Sequence, residues 1–284
     1  MIPAPFAYHQ PASVSAALAI LQEHGDEARV IAGGHSLIPL MKQRMTDISH
    51  LIDLKAIDAL GDISVAGDRV TIGAMVTQHE IIESAALRSA APLLREAALQ
   101  IADPQVRYCG TIGGNVANGD PGNDMPAIMQ CLDATFTLEG AGGVRTLNAR
   151  DFYIAAYTTE RDDGEILTSI SFAAQKGGTA YEKQKRKIGD YATAAAAVTI
   201  ERQGGVASSA SVAMTNLADI PIYSAGAGAA LVGTPVDAAA IKASIAAMQD
   251  DIEPTSDNRG PAEFKRHAAG VILSRAISRA WSNA

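Results

Sequence analysis

Apolar positions along the first hundred residues switch between a helical and a strand-like rhythm. Val14, Ala17, Leu18 and Leu21 follow the i, i+3, i+4, i+7 spacing of an amphipathic helix, with Ser13 set to cap it and Gly25 to end it. Short apolar runs that suit buried strands come next. Arg29-Val30-Ile31-Ala32 feeds straight into Gly33-Gly34, and Leu51-Ile52-Asp53-Leu54 and Arg69-Val70-Thr71-Ile72-Gly73 follow. Thr77-Gln78-His79-Glu80 has capping-box spacing and predicts a helix to about Ser89. Pro92 suits the first turn of another helix carrying Leu93, Leu94, Ala97 and Ile101. The glycine-rich tract 110–122 predicts neither helix nor strand and is expected to form a long loop, a feature that in compact domains tends to carry function. A short helix from Pro126 to Leu132 and a strand from Ala134 to Leu138 are expected beyond it.

The rhythm changes near Lys176-Gly177-Gly178, which reads as a joint. Ala194–Ile200 and Val206–Thr215 predict two strands turned at Gly204-Gly205, and helices are expected within 236–249 and from Pro261 to about Ala280. Strands followed by helices predict a small α+β unit, with Ala194 to Ala197 packed tightly between layers.

Composition narrows the function classes. The 284 residues are 48% hydrophobic and 19% charged, enough for one large or two modest folded domains. A net charge of −8 disfavours nucleic acid as a partner. Two cysteines, Cys109 and Cys131, exclude a disulfide framework or a four-thiolate site and fit a reduced, intracellular setting; Cys109 is expected to be a buried structural thiol. The first residues lack the basic and apolar regions of a secretory signal, and no apolar run is long enough to predict a transmembrane segment. The six histidines form no i, i+4 pair and no His-x-Glu with Cys-x-x-Cys, so spacing predicts no metal site. A Gly-x-Ser-x-Gly elbow, a Gly-x-Gly-x-x-Gly fingerprint and a Walker loop are all absent.

Two glycine pairs remain: Ala32-Gly33-Gly34-His35-Ser36 and Thr111-Ile112-Gly113-Gly114-Asn115. Paired glycines let backbone N–H groups approach a ligand closely and tolerate positive φ, so each pair predicts either a tight turn or an anion-binding nest. Ser36, Thr111 and Asn115 would add side-chain donors. In an acidic chain a diphosphate would need such oriented donors plus a local basic exception. Lys183-Gln184-Lys185-Arg186-Lys187 offers one, unless it is only a solvated face. Asp124 reads either as a plain N-cap or as a hydrogen-bond acceptor for a ligand over the preceding loop.

The two glycine motifs resemble the FAD-binding signatures of the flavoprotein (medium) subunit of the molybdenum hydroxylases, the xanthine dehydrogenase and carbon monoxide dehydrogenase family. The stretches Ile101-Ala102-Asp103-Pro104-Gln105, Gly119-Asp120-Pro121-Gly122-Asn123-Asp124 and 181–193 resemble the aerobic carbon monoxide dehydrogenase branch. So does Asp257 to Phe264, with Phe264 where a Tyr is commoner. The resemblance covers essentially the whole chain and implies an α+β protein. A two-part α/β FAD-binding region of the vanillyl-alcohol-oxidase (PCMH) type, residues 1–55 and 56–176, would precede a C-terminal α+β domain, 177–284, with a small antiparallel sheet and helices. By the same likeness Ala32, Gly33, Gly34, His35 and Ser36, with Thr111, Ile112, Gly113, Gly114 and Asn115, would hold the FAD diphosphate. Asp124 would lie near the ribityl or ribose, and Lys187 and Tyr191 toward the isoalloxazine.

The likeness further implies a molybdopterin-containing large subunit and a 2Fe-2S small subunit as partners, a dimer of heterotrimers, and transfer of electrons from carbon monoxide oxidation through FAD to a quinone. It implies a cytoplasmic location, free or peripheral at the inner face of the plasma membrane, and no catalytic or metal-binding residue of the chain's own. Alternatives are the same subunit of a purine or aromatic-heterocycle hydroxylase, a stand-alone flavin oxidoreductase using His35 or Tyr191 as a base, or a non-catalytic anion sensor. Gly33→Val and Gly114→Val are expected to lower FAD occupancy while sparing the fold.

Overall fold

In the computed structural model, which describes residues 2–284, the first periodicity folds as its spacing requires. The N-terminal part comprises β1 (Ala7–His9), α1 (Val14–His24), β2 (Ala28–Ile31), α2 (Leu37–Gln43) and β3 (His50–Asp53). Ser13 caps α1 by accepting from the Ala16 N–H, and Gly25 ends it at φ +50°. The strands form a parallel sheet in the order β1-β3-β2, covered on both faces. Ala17 and Leu21 of α1 pack with Ala28 and Ile52 of the sheet, while Met41 of α2 packs with Ile31, Ile48 and Leu51.

The middle part begins with β4 (Ile63–Ala66) and β5 (Arg69–Gly73). Six short helices follow: α3 (Gln78–Glu83), α4 (Ala85–Ala90), α5 (Pro92–Ala98), α6 (Pro104–Cys109), α7 (Ile112–Ala117) and α8 (Asp124–Cys131). Then come β6 (Thr135–Gly140), β7 (Gly143–Asn148), the small pair β8 (Tyr153–Ala155) and β9 (Thr158–Thr159), and β10 (Ile166–Ala173). The five-stranded sheet runs β4-β5-β10-β6-β7 and is antiparallel throughout. Its apolar face carries a core that includes Ile72, Phe136, Ile170 and Leu94.

Three local expectations need correction. The Thr77 capping box forms, but the predicted helix stops at Glu83 and restarts at Ala85, because the Ser84 side chain caps a new first turn through the Leu87 N–H. The tract 110–122 is not a featureless loop. Thr111 caps α7 within it by accepting from the Gly114 N–H, so both glycines of the second motif are helical. Asp124 is the first residue of α8, not its cap; Asn123 holds the cap position.

The last part contains β11 (Gly178–Gln184), β12 (Ala194–Gln203), β13 (Val206–Thr215), β14 (Ile222–Tyr223), α9 (Ala225–Ala229), α10 (Ala238–Asp251) and α11 (Ala262–Ser282). The strands form an antiparallel sheet in sequence order, and β12 turns into β13 at Gly204 and Gly205, both at positive φ. Small side chains let this sheet be buried on both faces. Ala195 and Ala197 join the core of the middle part, whereas Ala194, Ala196, Val198 and Ile200 join the core beneath α11. β11 includes Lys183 and Gln184, the first two residues of the basic stretch, which is therefore only partly a solvated face. Among the described residues no helix is long and apolar enough to cross a membrane.

Candidate functional site

The loop after β2 and the start of α7 meet face to face. A Cβ on Gly33 would overlap the backbone of Cys109 and Gly110, and one on Gly114 would come within 3.3 Å of the Ala32 Cβ. The glycines are thus what lets the two motifs touch. Together they line one cavity of about 490 Å³, walled also by Ile101 and Ala102 after α5, by Asp124 at the start of α8, by the segment before β10 and by the end of β11.

The two motifs present different chemistry to that cavity. Gly34 adopts φ +73°, a left-handed turn that glycine accepts without strain. The N–H groups of Gly33, Gly34, His35 and Ser36 make no hydrogen bond with other described residues, while Gly34 C=O accepts from the Ile38 N–H. This stretch is an open row of donors. In the second motif the backbone donors are already used. Ile112 N–H donates to Val76 C=O and Gly113 N–H to Ala74 C=O, both at 2.9 Å. Gly114 N–H donates to Thr111 Oγ1 and Asn115 N–H to Thr111 C=O, each at 3.1 Å. A Cβ on Gly113 would strike Ala74. The second glycine pair is therefore a packing device, and what it offers a ligand is the Thr111 hydroxyl proton and the Asn115 amide, whose Oδ1 is buried without a partner.

Two further lining residues stand out, Gln78, which carried no sequence signal, and Lys183, which the sequence marked only as part of the basic run. Gln78 opens α3 at 2% exposure, and both its side-chain amide atoms are buried and unpartnered. Its backbone N–H donates to Gly110 C=O at 2.8 Å, fixing it beside the second motif. Buried amides rarely go unpaired, so this one is prepared for a partner the chain does not supply. Lys183 is the second, with a side chain 1% exposed and its Nζ 2.9 Å from Asp124 Oδ2. β11 ends inside the basic run: the Lys183 and Lys185 side chains reach inward, Lys185 donating to the Gln100 side chain at 3.1 Å, while Arg186 and Lys187, beyond the strand, are exposed.

Asp124 is buried and accepts hydrogen bonds from the Tyr181 hydroxyl and Lys183. Burial raises its carboxyl pKa, and Lys183 and Tyr181 pull it back down. Tyr181 in turn is raised well above the usual phenol range by burial and by Asp124. Tyr191 stands at the rim, its ring between this cavity and a second of about 370 Å³, with the Arg259 guanidinium carbon 5.1 Å from its centroid. Of the expected site residues, Ala32 to Ser36, Thr111, Gly113, Gly114, Asn115, Asp124 and Tyr191 line the cavity. Ile112 is buried behind it, and the exposed Lys187 is not part of its lining. Cys109 is exposed at the end of α6, contrary to expectation, because that helix lies on the surface. Cys131 is the buried thiol, pushed up to about 11 by desolvation.

The profile of the FAD binding domain in molybdopterin dehydrogenase matches residues 4–173, and that of the CO dehydrogenase flavoprotein C-terminal domain matches 179–280. The chain is 51% identical to the carbon monoxide dehydrogenase medium chain of Afipia carboxidovorans, covering 100% of this chain and 99% of that one. It is 43% identical to the medium chain of Hydrogenophaga pseudoflava, over 99% of both. A crystal structure of Cu,Mo-CO dehydrogenase in its cyanide-inactivated form superposes with a TM-score of 0.98 at 51% identity, over 100% of both chains.

Proposed function

The chain belongs to the FAD-binding medium subunits of the molybdenum hydroxylases, and from that premise we propose that it is the electron-carrying subunit of an aerobic carbon monoxide dehydrogenase. The observation that carries the site assignment is the convergence of the two glycine motifs on one cavity in which donors stand unpaired. Those donors fit FAD. The free N–H groups of Gly33 to Ser36 suit a diphosphate, as does the Thr111 hydroxyl, and each can bind it without a large basic patch. The amides of Gln78 and Asn115 suit polar groups along the chain between the two ring systems. Asp124, held by Lys183 and Tyr181, presents a fixed carboxyl to the ribityl or ribose hydroxyls. Tyr191, lining the rim of the cavity, would lie against the isoalloxazine, whereas the exposed Lys187 would act outside the lining.

When bound, the isoalloxazine supplies the exchange of one and two electrons that links an iron–sulfur donor to a two-electron acceptor. The protein's own residues bind, orient and shield. A molybdopterin large subunit and a 2Fe-2S small subunit complete the enzyme, in our reading as a cytoplasmic dimer of heterotrimers that delivers electrons to a quinone. The test is turnover by the purified complex. Carbon monoxide should reduce a soluble quinone only when this chain carries one FAD, and stripping the flavin should abolish quinone reduction while the molybdenum centre still accepts electrons. Equal quinone reduction with and without flavin would contradict the assignment.

A further inference from the structure

Three histidines far apart in sequence meet on the N-terminal sheet. His9 lies on β1, His24 ends α1 and His50 opens β3, and one ring nitrogen from each lies within 4.8 Å of the others. The register explains the meeting. His50 pairs with Ala7 on one side and Ala28 on the other, and His9, two residues beyond Ala7, shares their face of the sheet. That face, with Ala28 and Ile52, is the one α1 covers, so the last residue of α1 arrives over it.

The cluster is underused as it stands. His9 Nε2 and His50 Nδ1 are 2.9 Å apart and share one hydrogen bond. The rings of His24 and His50 stack at 3.5 Å, and Glu23 Oε1 lies 4.0 Å from His24 Nε2. We propose that His9, His24 and His50 form a binding site for one divalent ion of the zinc class, with water or Glu23 as fourth ligand. Imidazole is the commonest transition-metal ligand, and three of them with an open fourth position is a zinc donor set. The negative end of α1 adds favourable potential for a cation. A tetrahedral ion holds nitrogen donors about 3.4 Å apart, so the His9–His50 pair, now at 2.9 Å, parts slightly and the His24–His50 stack opens as the part-exposed rings turn toward the ion. The ion sits near His50 at the amino end of β3 and His9 at the carboxyl end of the short β1, away from Gly33-Gly34, which follow the carboxyl end of β2, and it pins β1, α1 and β3 together. Histidine spacing along the chain hides the site because each ligand comes from a different element.

The experiment uses the FAD-loaded protein, stripped with chelator and equilibrated with buffered micromolar zinc. Bound zinc is counted by mass spectrometry, and flavin content reports that the fold is intact. The wild type should retain one zinc per chain and melt at a higher temperature with zinc than without. His24→Gln and His50→Gln should lose both the zinc and the shift, while His267→Gln keeps both. If His50→Gln fails to fold, His24→Gln alone carries the test, since that ring ends a helix. Retention of no zinc by the wild type, or equal zinc in folded His24→Gln, overturns the proposal.

Discussion

At the scale of single residues, glycine means two different things in the two motifs. Gly34 is there for its left-handed backbone, whereas Gly33, Gly113 and Gly114 are there because neighbouring atoms leave no room for a Cβ. Gly33→Val, expected from sequence to spare the fold, would drive a side chain into the Cys109 and Gly110 backbone and loosen the whole junction. Gly113→Ala should destabilise by about 1–3 kcal/mol through overpacking against Ala74, measured by denaturant unfolding of the flavin-free chain. Asp124→Ala should destabilise by about 3–5 kcal/mol, because it leaves Lys183 buried without its partner. Denaturant midpoints of Asp124→Ala and an Asp124→Ala/Lys183→Met double variant check this, the double variant recovering part of the loss. Cys131, with its thiol near 11, should resist alkylation at pH 8 in the folded protein and react once unfolded, read by mass spectrometry. The glycine motifs were legible in the sequence because their composition is unusual. Gln78 was not, since a glutamine after a cap looks like surface until burial is known, and Lys183 was legible only as part of a basic run that read equally as a solvated face.

Single elements show why short-range rhythm succeeded in some places and failed in others. α1, β2, β3 and β5 satisfy their own periodicity and caps, and were legible within a residue or two. α7 was not, because isolated Ile-Gly-Gly-Asn favours a loop. What makes it helical is tertiary: Val76 and Ala74 carbonyls accept from Ile112 and Gly113, and Thr111 caps the turn. Thr111→Val should therefore fray α7 and lower FAD affinity together, whereas Thr111→Ser should keep both; circular dichroism and flavin titration separate the two. β12 makes the converse point. Its alanine run was legible as tight packing because only small residues suit a strand covered on both sides. Ala196→Leu should cost about 1–3 kcal/mol, seen as a lowered unfolding midpoint.

The whole molecule builds its site by bringing together segments that no local pattern connects, and its charge is arranged to match. A net −8 chain keeps Lys183 and Arg161 along the cavity wall, and holds the 160–165 segment there through Arg145 and Glu165. Arg145 Nε and Nη2 donate to the two Glu165 carboxylate oxygens at 2.6 and 2.7 Å, and this pairing lowers the Glu165 pKa below 4.5. A depressed carboxyl stabilises the fold above its unfolded value and loses that contribution as pH falls through the folded value. Glu165→Gln should thus be less stable than wild type at neutral pH, with the gap closing below about pH 4.5, as thermal melts across pH will reveal.

Amide hydrogen exchange, compared between the flavin-free and FAD-loaded protein, tests the centre of the account most directly. The free N–H groups of Gly33, Gly34, His35 and Ser36 should slow sharply on loading, while those of Ile112, Gly113, Gly114 and Asn115, already bonded within the chain, should be slow in both states. Unchanged exchange across 33–36 in protein that demonstrably carries FAD would contradict it.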